Sequence, residues 1–303
     1  MLQLPELNHS IRTDPTGYVS ACDAAYYEQI NSVAEDIAYS GRHIIFLAGP
    51  SSSGKTTTAH SISSALSHLG IRCHAISMDD YYLDVTEADY PKTEHGEIDL
   101  ESPLCLDVEL FNQQMQTLHN GGLVELPHFD FTTRRRDRTQ AKVLQLKQGE
   151  AVIVEGIHAL NDMFTSRNPH AYTIYVDLYS HVELDGKIVF QRSWMRLLRR
   201  LIRDHNYRNT PIAETLQLWR NVRAGEERYI LPYCQKAHIL IDTALGYEIP
   251  VLGASLAPDL AALPQAVPQR EIVDEILKAL PLFAPLDPTL VPETSLLKRE
   301  FIQ

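Results

Sequence analysis

The sequence predicts an α/β fold built on a doubly wound, largely parallel sheet, and three observations support this prediction. Apolar, strand-like runs alternate with segments of helical spacing over about 245 residues. A glycine-rich loop joins the first such strand to the helix after it. Acidic residues end two of the strands, at the sheet edge where ligands bind in folds of this kind.

The glycine-rich loop has the spacing of a phosphate-binding loop. Strand-like Ile44–Ala48 precedes Gly49, and Gly49 to Thr56 fits the pattern Gly-x-x-x-x-Gly-Lys-[Ser/Thr]. A helix predicted over residues 56–69 follows, which is the context that the pattern requires. A Gly/Ser-rich turn that binds nothing is the plain alternative, and the strand–loop–helix context favours phosphate binding.

The residue types of this loop suit a polyphosphate. Small residues let several backbone N–H groups approach one anion, and the positive end of the following helix points at it. Lys55 can reach the β- and γ-phosphates, and the Thr56 hydroxyl can bind Mg²⁺. The predicted nucleotide-binding residues of the loop are Gly49, Pro50, Ser51, Ser52, Ser53, Gly54, Lys55, Thr56 and Thr57.

The remaining elements are predicted from spacing and breakers. Residues 1–20, with Pro5 and Pro15, are predicted to be irregular, and residues 81–104 to form a polar excursion. Apolar spacing and stop signals predict helices over 22–40, 106–118, 188–205, 211–229 and 270–280. Apolar runs predict strands over 71–77, 142–145, 151–155, 172–178 and 239–242. The expected organisation is an N-terminal helical extension (1–41), a central domain (42–245) and a Pro-rich C-terminal extension (246–303).

Composition restricts the class of protein. A net charge of −12 and a pI near 5.5 argue against broad binding to nucleic acid or a membrane surface. No apolar run approaches the length of a membrane span, and the N-terminus has no signal pattern. The four cysteines are widely spaced, which indicates reduced thiols rather than a zinc site. We therefore expect a cytoplasmic protein with a small-molecule substrate, and leave a homo-oligomer open.

Two carboxylates lie at predicted strand ends. Asp79 is the best-placed candidate to orient a nucleophile at the γ-phosphate, and Asp80 beside it should point elsewhere if the strand alternation continues. Glu155 closes a strand downstream of the loop, which suits a carboxylate near Mg²⁺. The alternative for Glu155 is an edge-of-strand glutamate that faces water.

Two basic clusters stand out on an acidic chain. Arginines 196, 199, 200 and 203 form one helical stripe, which we interpret as a phosphate clamp rather than a solvated face. The run 134–138 has three open interpretations, ranked as substrate binding, a solvated hairpin tip and a nucleic-acid contact.

Six motifs follow one another along the chain in the order found in the uridine kinase group of the phosphoribulokinase/uridine kinase family. The chain resembles that group, whose fold is of the P-loop kinase type. The resemblance runs from about Arg42 to Asp242. The motifs lie at residues 49–57, 77–79, 100–103, 127–131, 154–157 and 199–204. It implies an ATP- and Mg²⁺-dependent kinase that transfers the γ-phosphate to an acceptor hydroxyl, with uridine or cytidine as the leading acceptor.

The resemblance also implies roles for single residues. Asp79 would take the proton of the acceptor hydroxyl, and Glu155 would stand on the magnesium side. Glu101 would hold the ribose hydroxyls. The nucleoside-pocket positions are Tyr82, Phe129 and Phe131, and the lid arginines are Arg200, Arg203 and Arg208.

This sequence departs from the family pattern at two positions. Arg134 stands where the family has a histidine that contacts the base, and Thr210 stands where it has a further lid arginine. An arginine at the acceptor site suits an anionic or highly polar substrate, so a sugar, sugar phosphate or polyol is the alternative acceptor. A nucleotide-dependent regulatory ATPase is the third hypothesis. Against it, the chain lacks the guanine-reading Asn-Lys-x-Asp motif of GTPase switches and the Leu-Ser-Gly-Gly-Gln signature of transporter ATPases.

Overall fold

The computed structural model describes residues 1–84, 90–92, 96 and 98–302. Part of the predicted excursion at 81–104 lies outside the described residues. The strands are β1 Leu2–Gln3, β2 Ile44–Ala48, β3 Arg72–Ser77, β4 Leu123–Leu126, β5 Phe129–Asp130, β6 Arg135–Arg136, β7 Lys142–Gln145, β8 Glu150–Glu155, β9 Tyr172–Asp177, β10 Val182–Leu184, β11 Lys187–Phe190 and β12 Ile239–Asp242. The helices are α1 Leu4–Thr13, α2 Pro15–Ser40, α3 Lys55–His68, α4 Val108–His119, α5 Asp162–Thr165, α6 Arg192–Arg208, α7 Ile212–Tyr229, α8 Glu248–Ala262, α9 Arg270–Ala279 and α10 Leu296–Glu300.

A five-stranded parallel sheet forms the centre, in the order β12-β9-β2-β8-β3. This confirms the predicted doubly wound α/β fold, because helices cover both faces of the sheet. The central strand β2 is buried along its whole length. Its side chains alternate between two apolar clusters, Ile45 and Leu47 in one, Ile44 and Phe46 in the other.

The parallel strands place their carboxyl ends at one edge of the sheet. The phosphate loop follows β2, a short 3₁₀ turn Met78–Tyr81 follows β3, and Glu155 ends β8. Because β2 pairs with β8 and β8 pairs with β3, these three ends are neighbours. The fold therefore brings the loop and both predicted carboxylates to one crevice.

The prediction of an irregular N-terminus is wrong. Residues 4–13 form α1 and residues 15–40 form α2. The two prolines that indicated breaks stand in the first turns of these helices, where a missing N–H costs no hydrogen bond. The Asp14 side chain accepts from Gly17 N at 2.9 Å and caps α2.

The helix predicted over 188–205 begins later than expected. Residues 187–190 form strand β11, which pairs with β10, and α6 starts at Arg192. Asp185 and Gly186 both have positive φ, as a two-residue hairpin turn requires. The Asp-Gly pair in the sequence was the signal that spacing alone overlooked.

The C-terminal extension is part of the same core. Helix α9 confirms the predicted helix at 270–280, whereas α8 and α10 were not predicted. Leu296, Leu297 and Phe301 are fully buried. At the start of α8, the Glu248 carboxylate accepts from Arg199 Nε at 2.5 Å, and both side chains are buried. No helix in the described part of the chain is long and apolar enough to cross a membrane.

The buried pair of Arg199 and Glu248 gives a stability prediction. Glu248→Ala should lower the free energy of unfolding by about 3–5 kcal/mol, because it leaves the Arg199 charge buried without a partner. Urea unfolding measures this. Glu271→Ala, on the exposed face of α9, is the control and should change the free energy by less than about 0.5 kcal/mol. Equal stability of the two variants would contradict the anchoring role of Glu248.

Candidate active site

The phosphate loop can be formed only with glycine at its two ends. A Cβ atom on Gly49 would lie 2.0 Å from the Val176 carbonyl oxygen and 2.8 Å from Ser53 Oγ. Gly54 has a φ of +89°, a left-handed conformation that side chains rarely adopt. Both predicted glycines are therefore required by the close packing of the loop on β9 and by its backbone turn.

Lys55 lies at the start of α3 with its ammonium group turned back over the loop. Its Nζ donates to the Pro50 carbonyl oxygen at 3.0 Å. Desolvation lowers the pKa of Lys55, and the charge of Glu155 is the largest influence opposing that shift. Glu300 and Asp79 oppose it as well. The lysine thus stands among three carboxylates and above the loop, where it can meet a phosphate.

Thr56 and Glu155 offer oxygen ligands at one point. Thr56 Oγ1 donates to Glu155 Oε1 at 3.3 Å. Burial raises the pKa of Glu155 to about 7, and the Lys55 charge partly opposes this. A hydroxyl and a carboxylate are hard oxygen donors of the kind that Mg²⁺ prefers, so these residues fit the predicted metal.

Asp79 lies in the 3₁₀ turn that follows β3. Its side chain is reached by solvent. Desolvation by the surrounding protein raises its pKa, and the positive charge of Lys55 opposes the rise. Asp80 points elsewhere, as predicted, although a turn rather than strand alternation is the cause. Its Oδ1 accepts from His128 Nδ1 at 2.9 Å and from Phe129 N at 3.2 Å.

The side chains of the predicted arginine stripe lie in two different places. Arg200 Nη1 and Arg203 Nη2 donate to Ser51 Oγ at 2.8 and 3.4 Å, so both reach the phosphate loop. Arg196 and Arg199 were predicted as clamp residues, and that part is wrong. They are buried and held in ion pairs with Glu226 and Glu248.

Asp204 gathers three arginines, and the sequence analysis gave it no role. Arg200 Nε lies 3.3 Å from its Oδ2, and Arg203 Nη2 and Arg208 Nη1 lie 3.2 and 3.3 Å from its Oδ1. The Asp204 side chain is buried, whereas that of Arg208 is exposed. The signal was present in the sequence, because Asp204 follows Arg200 by four residues and precedes Arg208 by four.

The three predicted pocket aromatics form one cluster. The ring centroids of Tyr82, Phe129 and Phe131 are 5.0 to 5.7 Å apart in all three pairs. The Phe131 side chain is 58% exposed, so the cluster presents an accessible aromatic face. We call these three residues the aromatic cluster.

Glu101 packs against α7 at Gly225. A Cβ atom on Gly225 would lie 2.5 Å from the Glu101 Cβ, so only glycine allows this approach. Desolvation raises the pKa of Glu101 to about 7, and Arg200 is the largest charge opposing that rise. The negative charge of Asp79 also contributes to the raised pKa of Glu101.

The basic run 134–138 does not act as one group. Arg134 is exposed at the turn between β5 and β6, with a φ of +56°, and it makes no hydrogen bond or ion pair with another described residue. Arg136 instead joins three neighbouring segments of the site by hydrogen bonds. It donates to the carbonyl oxygens of Tyr82 and Tyr81 at 3.0 and 3.2 Å and to Asp107 Oδ2 at 3.0 Å.

Comparisons with known proteins identify relatives of this chain. The sequence model of the phosphoribulokinase/uridine kinase family matches residues 44–246. A uridine kinase of Staphylococcus haemolyticus is 30% identical over 199 residues, which cover 65% of this chain and 86% of that protein. A uridine kinase of Borrelia duttonii is 30% identical over 200 residues, which cover 65% and 85%. The solved D-glycerate 3-kinase of Cryptococcus neoformans is 14% identical with a TM-score of 0.43, over 68% of this chain and 89% of its own.

The chain therefore belongs to the phosphoribulokinase/uridine kinase family. It is an ATP-dependent kinase, a phosphotransferase with an alcohol group as acceptor. The family match ends at residue 246, so α8, α9 and α10 lie outside it.

The raised pKa of Glu155 gives a pH prediction for the free protein. The folded state keeps a proton on Glu155 up to about pH 7, whereas the unfolded chain releases it near 4.5. The free energy of unfolding contributed by this group should therefore be lost as the pH rises between these values. Glu155→Gln should flatten that decline, by on the order of 2 kcal/mol, in urea unfolding measured across this range.

Glu214→Gln, on the exposed face of α7, is the matched control and should keep the decline of the unmodified protein. An identical pH profile for Glu155→Gln and the unmodified protein would show that Glu155 is not protonated in the folded state.

Proposed function

We propose that this kinase phosphorylates a hydroxyl of a nucleoside, with uridine or cytidine as the leading acceptor. The observation that carries the proposal is the aromatic cluster, because its Tyr82 contacts both candidate carboxylate positions. The Tyr82 backbone N donates to the Asp79 carbonyl oxygen at 3.3 Å, and its hydroxyl donates at 3.2 Å to the carbonyl oxygen of Leu100, which precedes Glu101. An aromatic face can stack on a pyrimidine, and a carboxylate can accept from the two ribose hydroxyls. The names of the sequence relatives support the same acceptor.

The donor side follows from the loop. Backbone N–H groups of the loop and the α3 N-terminus would bind the phosphates of ATP, with Lys55 at the β- and γ-phosphates. Thr56 and Glu155 would hold Mg²⁺, which when bound neutralises charge on the phosphates. Arg200 and Arg203, which already reach the loop at Ser51, would balance charge on the transferring group, and Arg208 can join them.

Asp79 would orient the acceptor hydroxyl and take its proton. Its raised pKa makes it a better proton acceptor than a solvated aspartate, and the positive charge of Lys55 opposes that rise. The acceptor oxygen then forms a bond to the γ-phosphorus while the bond to the β-phosphate oxygen breaks, and ADP leaves. The proton resides on the Asp79 carboxylate after transfer.

Arg134 keeps a second acceptor class open. Arg134 is close in sequence to Phe131 of the aromatic cluster, and its guanidinium is exposed. It has no ion-pair partner among the described residues. A sugar, sugar phosphate or polyol could use this cation where a neutral pyrimidine would not. A cytoplasmic location for either activity stays a prediction from the sequence.

ADP release from Mg·ATP across an acceptor panel tests the proposal. The panel holds uridine, cytidine, other nucleosides, pentoses, sugar phosphates and inositols, with Lys55→Ala as the inactive control. Strong turnover with uridine or cytidine is the expected result. Turnover restricted to a phosphorylated sugar or a polyol would overturn the nucleoside acceptor and favour a pocket rebuilt around Arg134.

Asp79→Asn separates chemistry from binding. Loss of the proton acceptor should lower kcat by about 10²–10⁴-fold, while the affinity for Mg·ATP measured by calorimetry stays within a factor of a few. Asp185→Asn, in the exposed turn between β10 and β11, is the matched control and should keep full activity. Full turnover by Asp79→Asn would remove this residue from the mechanism.

A further inference from the structure

A cavity of about 720 Å³ adjoins the phosphate loop. The α3 side contributes Thr56 and Thr57, and the end of α6 contributes Tyr207 and Arg208. The remaining wall comes from α10, through Arg299 and Glu300. Among the described residues, Asp79, Glu101 and the aromatic cluster do not line it. The cavity is therefore a continuation of the donor side of the site and not of the acceptor side.

Helix α10 is held firmly in this position. Leu296 packs on the loop, since a Cβ atom on Gly54 would lie 3.0 Å from Leu296 Cδ1. The guanidinium carbon of Arg199 lies 5.2 Å from the Phe301 ring centroid, and Asn206 Nδ2 donates to the Phe301 carbonyl oxygen at 3.3 Å. The wall that α10 provides is part of the folded core.

Glu300 brings an acceptor-only group to the cavity. Its Oε2 is buried and has no hydrogen-bond partner among the described residues. No cation of the described chain lies within ion-pair distance of it, yet its charge acts on both Lys55 and Arg203. A phosphate offers no proton to such a carboxylate, whereas a ribose hydroxyl does. Glu300 thus suits the sugar that follows the phosphates.

Two flat side chains line the same cavity. The Tyr207 ring is 51% exposed at the end of α6. Arg299 is exposed on α10, and its side chain has no hydrogen-bond or ion-pair partner in the described part of the chain. Aromatic rings and guanidinium planes are the surfaces on which nucleobases stack. Besides the Glu300 carboxylate, which suits a ribose, the cavity therefore offers two flat surfaces on which a base can stack.

We propose that α10 completes the binding site of the donor nucleoside. Glu300 accepts hydrogen bonds from the ribose hydroxyls, and the base lies between Tyr207 and Arg299. The C-terminal extension, outside the family match, then determines affinity for the nucleoside part of the donor. This inference rests on the proposed function only in taking a nucleoside triphosphate as the phosphoryl donor.

Calorimetric binding tests the role of Glu300 with two probes, Mg·ATP and Mg·tripolyphosphate, which lacks the nucleoside. Glu300→Gln should weaken Mg·ATP binding about tenfold and leave Mg·tripolyphosphate binding no weaker than in the unmodified protein. Lys298→Gln is the control on the same helix, because Lys298 pairs with Glu293 and does not line the cavity. It should bind both probes as the unmodified protein does.

Two further measurements locate the ribose and the base. The unmodified protein should prefer ATP over 2′,3′-dideoxy-ATP, and Glu300→Gln should lose most of that preference. Tyr207→Leu should weaken ATP binding several-fold and spare tripolyphosphate binding. Thermal unfolding of each variant shows that it is folded.

Equal weakening of both probes in Glu300→Gln would overturn the assignment, because the residue would then act on the phosphates. Unchanged ATP binding in both variants would also overturn it. These experiments need no acceptor, so a failed acceptor panel leaves their outcome intact. Failure here equally leaves the acceptor assignment intact.

Discussion

The buried ion pairs of Arg196 and Arg199 fix helix α6 over the phosphate loop, and the geometry of the site depends on them. Arg196 also donates to the Ser51 carbonyl oxygen at 3.1 Å, so the helix is tied directly to the loop. Arg196 and Arg199 are buried in the core, whereas the next two arginines of the helix, Arg200 and Arg203, donate to Ser51. Burying such pairs is costly in desolvation, which makes their contribution one of positioning more than of net stability.

The crevice concentrates negative charge that the protein alone does not neutralise. Desolvation raises the pKa of Asp79, Glu101 and Glu155, and the charge of Asp79 adds to the rise at the other two. The positive charge of Lys55 offsets part of this negative charge, and Asp204 forms ion pairs with three arginines. A site of this kind favours a ligand that brings its own cation, as a magnesium nucleotide does.

The sequence was sufficient for the features that local patterns determine. Strand–loop–helix spacing located the phosphate loop, and strand ends located Asp79 and Glu155 at the same crevice. The aromatic cluster came from resemblance, because Tyr82 and Phe129 lie far apart in the chain. Spacing could not separate Arg196 and Arg199 from Arg200, since the partners Glu226 and Glu248 are distant in sequence. The contact of the C-terminal extension with the phosphate loop could not be predicted for the same reason, because tertiary packing brings together residues that are distant in sequence.

The account depends on direct transfer of the γ-phosphoryl group to an acceptor hydroxyl. Mass spectrometry of products from ATP with heavy oxygen in the γ-phosphoryl group tests this, in the presence of the best acceptor. We predict that the label is recovered in the phosphorylated acceptor, in amounts equal to the ADP formed. Recovery of the label as inorganic phosphate, with the acceptor unchanged, would contradict the account and identify the chain as an ATPase.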